Sequence, residues 1–506
     1  MVTTRSSGIL LPITSLAGLH GIGDLGSGAE EFLDFLSEAG QRVWQVLPLG
    51  PAGFGDSPFQ SMSAFAGEPL LLSLDHLREE GWLEADELKP LSSLAPGRVD
   101  YPTVRSLKLP LLMLAAERFL GGAGGTDRAA FESFCRENEA WLDDFALFSV
   151  LRMAQGEQLW THWDQRIARR EPKALAILQA RHRDRLDQVK FLQFQFFEQW
   201  DRLRQRAGER GIRIMGDMAI FVSHDSADAW AHPELFFLDD SGQLLFVAGV
   251  PPDYFSATGQ RWGNPLYRWD RMADLEYSWW VDRMHWTLRS FDLVKIDHFR
   301  AFEAYWEIPA TETTAQHGRW VTGPGVRLFD TLQRRLGKLP LVVENLGYIT
   351  AEVEELRRQL GYPGMAVMQF AFGDGADHPF LPHNYEPNLV AYTGTHDNNT
   401  VAGWWQEEVL SEPDEKGRSQ RDFILQYLNT DGTDTHWACI RALSASVAAT
   451  VIFPFQDLLG LGSEARMNVP GTCRGNWAWR CHRGDLSRDV SRRLRDLTEL
   501  YGRCAA

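Results

Sequence analysis

From about residue 212 onward the chain alternates between short apolar runs and amphipathic stretches. The runs 212–221, 293–299, 341–345, 366–372, 389–395 and 447–453 are rich in Val, Ile, Leu and Phe and read as buried strands. Between several of them apolar residues recur at helical spacing, as in 277–289 and 351–360. Strands alternating with helices imply a parallel sheet. Two earlier runs, 42–49 and 70–74, bring the count to about eight and predict a (β/α)8 TIM barrel spanning residues 1–506 rather than an open sheet. From 75 to 190 the pattern changes to charged, amphipathic segments such as 141–153, with no strong strand. This predicts a largely helical subdomain inserted within the barrel. A long aromatic-studded helix over 189–206 follows, ending at Gly208 or Gly211.

Two stretches near the start look like signals of other functions. Arg5 precedes GILLPITSLAGL, which superficially resembles a secretion signal. Pro12 and Thr14 interrupt it and no small-residue cleavage site follows. Gly21 to Gly26, GIGDLG, has the spacing of a dinucleotide-binding loop, and Ser27 with Glu30 predicts a capping box on the next helix. The strand before it carries Pro12, and the acid expected about 20 residues on is missing, so the loop reads as a tight turn and helix start. The loop 50–69, rich in Gly, Ser and Phe, is too long for a simple connector and reads as functional.

Composition narrows the partners. A net charge of −17 argues against nucleic acid or an anionic membrane, and a neutral substrate is compatible with it. No apolar run reaches the roughly 18 residues of a membrane span. Trp is abundant at 19 against 11 Tyr, mild support for binding sugar rings. The five cysteines, Cys135, Cys439, Cys473, Cys481 and Cys504, are odd in number and scattered, which fits reduced thiols in a cytoplasm. Cys473, Cys481 and His482 lack the short spacing of a zinc site.

Several strand candidates end in acids: Asp217 in IMGDMAIF, Asp297 in VKIDHFR, Glu344 in LVVENLG, and His396-Asp397 in YTGTHDNNT. Strand alternation puts Lys295 on the same face as Asp297. In a barrel such ends converge on one rim. Carboxyl groups around one pocket suit glycoside chemistry, one attacking the anomeric carbon and a protonated one serving the leaving oxygen. A separation of about 5–5.5 Å between them would mean retention through a covalent glycosyl-enzyme. Each acid has a plainer reading. Asp297 and Lys295 could be a salt bridge capping a buried strand, Asp217 could orient backbone, Glu344 could face a helix dipole, and Asp397 could be a turn residue. A metal site is a further reading, although no His-Glu-x-x-His or similar pairing occurs.

The motifs RSSGILLPITSL, GIGDLG, VWQVLPLGP, DSPFQSMSAFAG, GIRIMGDMAIFV, VAGVPPDYFSATGQRWGNPLY, VKIDHFR, LVVENLG, YTGTHDNNT and RMNVPGTCRGNWAWR run in order over nearly the whole chain. In them the sequence closely resembles the amylomaltases, or 4-α-glucanotransferases, of the α-amylase clan. The resemblance implies a (β/α)8 barrel with inserted subdomains and no separate C-terminal β-domain. It implies Asp297 as nucleophile, Glu344 as general acid/base and Asp397 as transition-state stabiliser. Asp217, Lys295, His298, His396, Ser57, Phe59, Asp253, Trp262 and Asn468 would bind substrate, with Pro252, Tyr254 and Phe255 in a lid over 246–275. Neither metal nor cofactor is implied. The substrates would be α-1,4-glucans and maltooligosaccharides, with glucose as an acceptor. A cytoplasmic enzyme is expected, and nothing in the chain sets its oligomeric state. Four positions depart from the family pattern: Lys295 for Arg, Phe59 for Tyr, Arg268 for Asp, and Asn345 for the Asp that many members carry. A retaining α-glucan hydrolase and a non-catalytic glucan binder are the rival readings.

Overall fold

The computed structural model describes residues 5–122, 128–252, 256–373, 375–411 and 415–504. The described residues form twelve strands in chain order: β1 (Ser6–Leu10), β2 (Val43–Gln45), β3 (Arg213–Met218), β4 (Phe246–Val250), β5 (Gln260–Pro265), β6 (Leu293–Ile296), β7 (Ala304–Pro309), β8 (Arg319–Thr322), β9 (Leu341–Val343), β10 (Gly364–Val367), β11 (Leu389–Tyr392) and β12 (Thr450–Pro454). Eight of them pair in parallel in the order β10-β11-β12-β1-β2-β3-β6-β9. The Val343 N–H donates to the Pro363 carbonyl at 3.0 Å, and the Met365 N–H donates to Asn345 Oδ1 at 2.7 Å. These bonds bring β9 back to β10 and close the (β/α)8 barrel. The other four strands form an antiparallel sheet, β5-β4-β7-β8, built from the chain on either side of β6.

The eight barrel strands differ from the expected set in one member. Residues 70–74 are not a strand: a 3-10 turn, Pro69–Leu71, leads into a helix, Leu74–Glu79, whose N-terminus is capped by Ser73. The missing strand is β1, which pairs with both β12 and β2. Gly8 makes that fit possible, since a Cβ there would stand 2.4 Å from the Val43 carbonyl oxygen. Pro12 falls beyond the end of β1 and removes no ladder bond. A short apolar run carries no periodicity that separates a buried strand from a buried turn.

Between β2 and β3 the described chain is helical, with Tyr101–Leu120, Arg128–Glu137, Glu139–Ala154 and Pro172–Arg181 leading into the long helix Arg183–Glu209. That helix buries Phe191, Phe194, Phe196, Phe197 and Trp200, and Phe197 meets Trp286 edge-on at 4.9 Å. The helix Ser27–Glu38 starts without the expected capping box. Gly26 is its cap, with no side-chain bond, and Glu30 pairs with Arg206 at 3.0 Å. Asp24 of the GIGDLG loop accepts the Gly26 N–H at 3.0 Å and lies 3.5 Å from buried Lys108. An inward carboxylate there repels a phosphate. No strand follows β12 among the described residues, and none of their helices is long and apolar enough to cross a membrane.

Candidate active site

The register β3–β6 sets Asp217 opposite Lys295, two residues before Asp297. The Lys295 ammonium, 2% exposed, donates to Asp217 at 2.9 and 3.2 Å and to Asp297 Oδ1 at 2.9 Å. The Asp297 N–H donates to the Met218 carbonyl at 3.0 Å, which fixes the strand end. Next along the chain, His298 adopts a left-handed backbone (φ 53°, ψ 48°), an uncommon conformation for a residue of its kind, and this turns the chain out of β6. Its amide donates to Glu344 Oε2 at 2.7 Å, and the Leu346 amide donates to Glu344 Oε1 at 2.8 Å. Asp297 and Glu344 are thus tied to one turn, each with part of its surface open to the cleft.

Electrostatics separate these acids. Burial alone would raise the Asp297 carboxyl, but the Lys295 ammonium, with His396 and His298, outweighs it and holds the group below the usual range. Glu344 goes the other way, pushed up to about 7 by burial and by the Asp297 charge, against the pull of Lys295 and the two amides. Asp217, fully enclosed, is pushed up to about 6 by burial despite Lys295, with Asp297 adding to the rise. Lys295 stays a cation, since its two aspartates and Glu344 outweigh the cost of burial. Burial pushes His298 down to about 4, so its ring is neutral near pH 7, and its buried Nε2 has no hydrogen-bond partner among the described residues.

Across the rim, the turn after β11 presents His396 and Asp397. Asn468 donates to Asp397 Oδ1 at 2.6 Å, His396 Nε2 is 3.4 Å from the same oxygen, and Arg466 donates to the Asp397 carbonyl at 2.7 Å. Asn468 therefore spends its amide on Asp397. Asp457 grips both ends of this turn, accepting from Thr393 Oγ1 at 2.6 Å and the Val401 N–H at 2.8 Å. Phe59 stacks on His396 with ring centroids 4.7 Å apart, and lines one cavity together with Asp217. Trp262 on β5 meets the His298 ring edge-on at 4.7 Å. Ser57 is occupied locally, accepting the Phe59 N–H at 3.3 Å. Asp253 lies outside the described residues, with Tyr254 and Phe255. No group of three or more His, Cys, Asp or Glu placed to hold a metal occurs among the described residues.

Arg466, Asp457, the seam role of Asn345, and Trp477, whose ring centroid stands 5.7 Å from that of His396 and 5.9 Å from that of Phe59, were not legible in the sequence. Arg466 stands two residues before Asn468 in RMNVPG, the one local hint. The others act across long sequence separations.

Closely tied carboxyls on the rim of a parallel barrel, one held below and one pushed above the usual range, are an arrangement that suits the breaking of glycosidic bonds. A family model described as 4-alpha-glucanotransferase matches residues 11–487. A 4-alpha-glucanotransferase of Thermus thermophilus is 49% identical over 502 residues, covering 99% of both chains, and one of Synechocystis is 47% identical over 507 residues, again covering 99% of both. A solved amylomaltase of Streptococcus agalactiae in complex with acarbose superposes with a TM-score of 0.94 at 39% identity, covering 99% of this chain and 100% of that one. The chain belongs to the 4-alpha-glucanotransferase family.

Proposed function

We propose that the enzyme moves a segment of an α-1,4-glucan to the 4-hydroxyl of glucose or of another maltosaccharide, with retention at the anomeric carbon. Asp297 attacks that carbon while Glu344 gives its proton to the departing glycosidic oxygen, leaving a glycosyl-Asp297 ester and an ionised Glu344. An acceptor 4-hydroxyl then attacks the anomeric carbon of that ester, Glu344 takes back the hydroxyl proton, and Asp297 leaves as carboxylate. Asp397 stabilises the positive charge that develops at the ring. His298, whose buried Nε2 has no hydrogen-bond partner among the described residues, bonds a hydroxyl of the bound sugar, and Asp217 and His396 contact the same ring. The observation that carries this reading is the split between the two acids: Asp297 is held ionised by Lys295 at 2.9 Å, while the Glu344 carboxyl, bonded to the next amide, is pushed up to about 7.

Transfer outruns hydrolysis when the acceptor is held in line and water is excluded. The β4–β5 hairpin, with Trp262 against His298, supports residues 246–275 as the cover that does this. We read the helices of 75–190 as an inserted subdomain. Five cysteines without a disulfide support a cytoplasmic site of action.

Incubation with maltotriose tests the assignment. Glucose plus a ladder of longer maltosaccharides is expected, and Asp297→Asn should abolish it. Glucose and maltose without longer products would identify a hydrolase. No product from either the parent or Asp297→Asn would leave only a binder.

A further inference from the structure

The loop that leaves Glu344 carries an exposed ring that no step above uses. Gly347, with φ +83°, turns the chain, and a Cβ at that position would meet nothing within 4 Å, so the space beside it is open. Tyr348 follows, 65% exposed, its ring nearly parallel to Trp320 of β8 at 18°, with centroids 6.3 Å apart. Two near-parallel rings at that spacing hold their apolar faces in a common orientation. Arg300 fixes it from behind. Its guanidinium carbon stands 3.7 Å from the Trp320 ring centroid and 5.8 Å from that of Tyr348, and its Nη1 donates to the Tyr348 carbonyl at 2.5 Å. Arg300 is itself buried and lies three residues past Asp297. The surface is therefore oriented from the 3-10 turn that follows the nucleophile and attached to the loop of the acid/base.

We propose that Tyr348 and Trp320 form a stacking shelf for glucose rings on the acceptor side of the scissile bond, beyond the ring whose oxygen Glu344 serves. This rests on the function proposed above. The group that protonates the leaving oxygen stands on the leaving-group side, and an acceptor enters by the same side. A flat apolar surface fixed in orientation, four residues down the chain from that acid, suits the C–H face of a pyranose. A single glucose would fill only the position next to Glu344 and would not reach the shelf. Maltotriose would reach it. The shelf thus gives the enzyme a preference for longer acceptors.

The experiment measures acceptor KM for glucose and for maltotriose with a common maltosaccharide donor, in the parent, Tyr348→Ala and Tyr348→Phe, with thermal unfolding as a folding control. In Tyr348→Ala the KM for maltotriose should rise about tenfold and that for glucose less than about twofold, because stacking on an aromatic face is worth roughly a factor of ten. Tyr348→Phe, which keeps the ring, should restore the maltotriose value. An equal rise for both acceptors, no rise for either, or failure of the phenylalanine variant to restore binding would overturn the shelf. A parent enzyme that hydrolyses without transferring would sink the transferase reading, and the shelf as an acceptor site with it. A parent that transfers, with Tyr348→Ala showing no dependence on acceptor length, would sink the shelf alone.

Discussion

Lys295 holds two carboxylates with one ammonium, and that sharing decides what each can do. Removing it leaves Asp217 and Asp297 desolvated and mutually repelling, so one of them takes up a proton. Lys295→Ala should lower turnover on maltotriose by about 10²–10³-fold, the scale of losing one preorganised electrostatic partner. Lys295→Arg, whose fork can bridge both carboxylates, should stay within about threefold of the parent. Full activity in the alanine variant would show that Asp297 needs no cation. Glu344 yields a second prediction. The proton it must donate is present below its raised value of about 7 and lost as pH rises through it, while the lowered Asp297 stays ionised over the same range. The rate of glycosyl-enzyme formation should therefore fall above about pH 7. With glucosyl fluoride, whose leaving group needs no proton, Glu344→Gln should keep the fluoride-releasing first step without that basic limb, and stall at the glycosyl-enzyme for want of a base. A limb that survives in the variant would assign the titration to another group. At this scale much was legible: Lys295 two positions before Asp297 shows their common face in any strand. The Asp217 partnership was not, because it depends on the β3–β6 register, which no local pattern encodes.

The strand ends place the acids, and one strand junction is held by a single backbone bond and a side chain rather than by a ladder. Asn345 Oδ1 accepts from Met365, and its Nδ2 donates to Glu354 Oε1 at 2.7 Å. Gly364 leaves room for the amide, since a Cβ there would stand 2.8 Å from Asn345 Oδ1. The amide accepts from one neighbour and donates to a carboxylate on the other, which a carboxylate in its place cannot do. Asn345→Asp, the residue usual in the family, should thus destabilise this enzyme by about 1–3 kcal/mol, since it sets two carboxylates together. Adding Glu354→Gln, which supplies a donor, should recover most of the loss. Thermal unfolding of the single and double variants measures both, and a single variant as stable as the parent would remove Asn345 from the barrel seam. The departure at Asn345 was visible in the sequence, but its reason was not, because Glu354 and Met365 become its neighbours only when β9 meets β10. The same limit explains the exchange of strands. Residues 70–74 are as apolar as a strand needs, and what disqualifies them is that β1 already fills the place beside β2.

The barrel as a whole is held shut at the end away from the chemistry. The acids sit at the carboxyl ends of the strands, whereas Ser6 begins β1 and Thr450 begins β12 at the opposite rim. There Arg503, fully buried, donates to the carbonyls of Ser444 at 2.8 Å, Ser446 at 2.9 Å, Ala448 at 3.0 Å and Ser6 at 3.1 Å, with a longer bond to Leu443 at 3.4 Å. Arg5 adds bonds to Ser444 at 2.9 Å and Ser446 at 2.7 Å. One guanidinium thus joins the turn before β12 to the start of β1, although 497 positions separate Arg503 from Ser6. Nothing in the sequence around Arg503 marks it, since its partners are backbone oxygens brought there by the closed fold. Arg503→Met keeps much of the side-chain volume and removes every donor. It should lower stability by about 3 kcal/mol, because buried carbonyls lose their partners, and it should lower the melting temperature by several degrees. Turnover at 25 °C should remain that of the parent, because the opposite rim carries the acids and the carbonyls bonded to Arg503 belong to the start of β1 and the turn before β12. Arg503→Lys, with fewer donors and no fork, should fall between the two. Thermal unfolding beside maltotriose turnover separates the outcomes. A variant that melts with the parent would make the clamp incidental, and one that loses turnover while folded would couple this rim to the catalytic one.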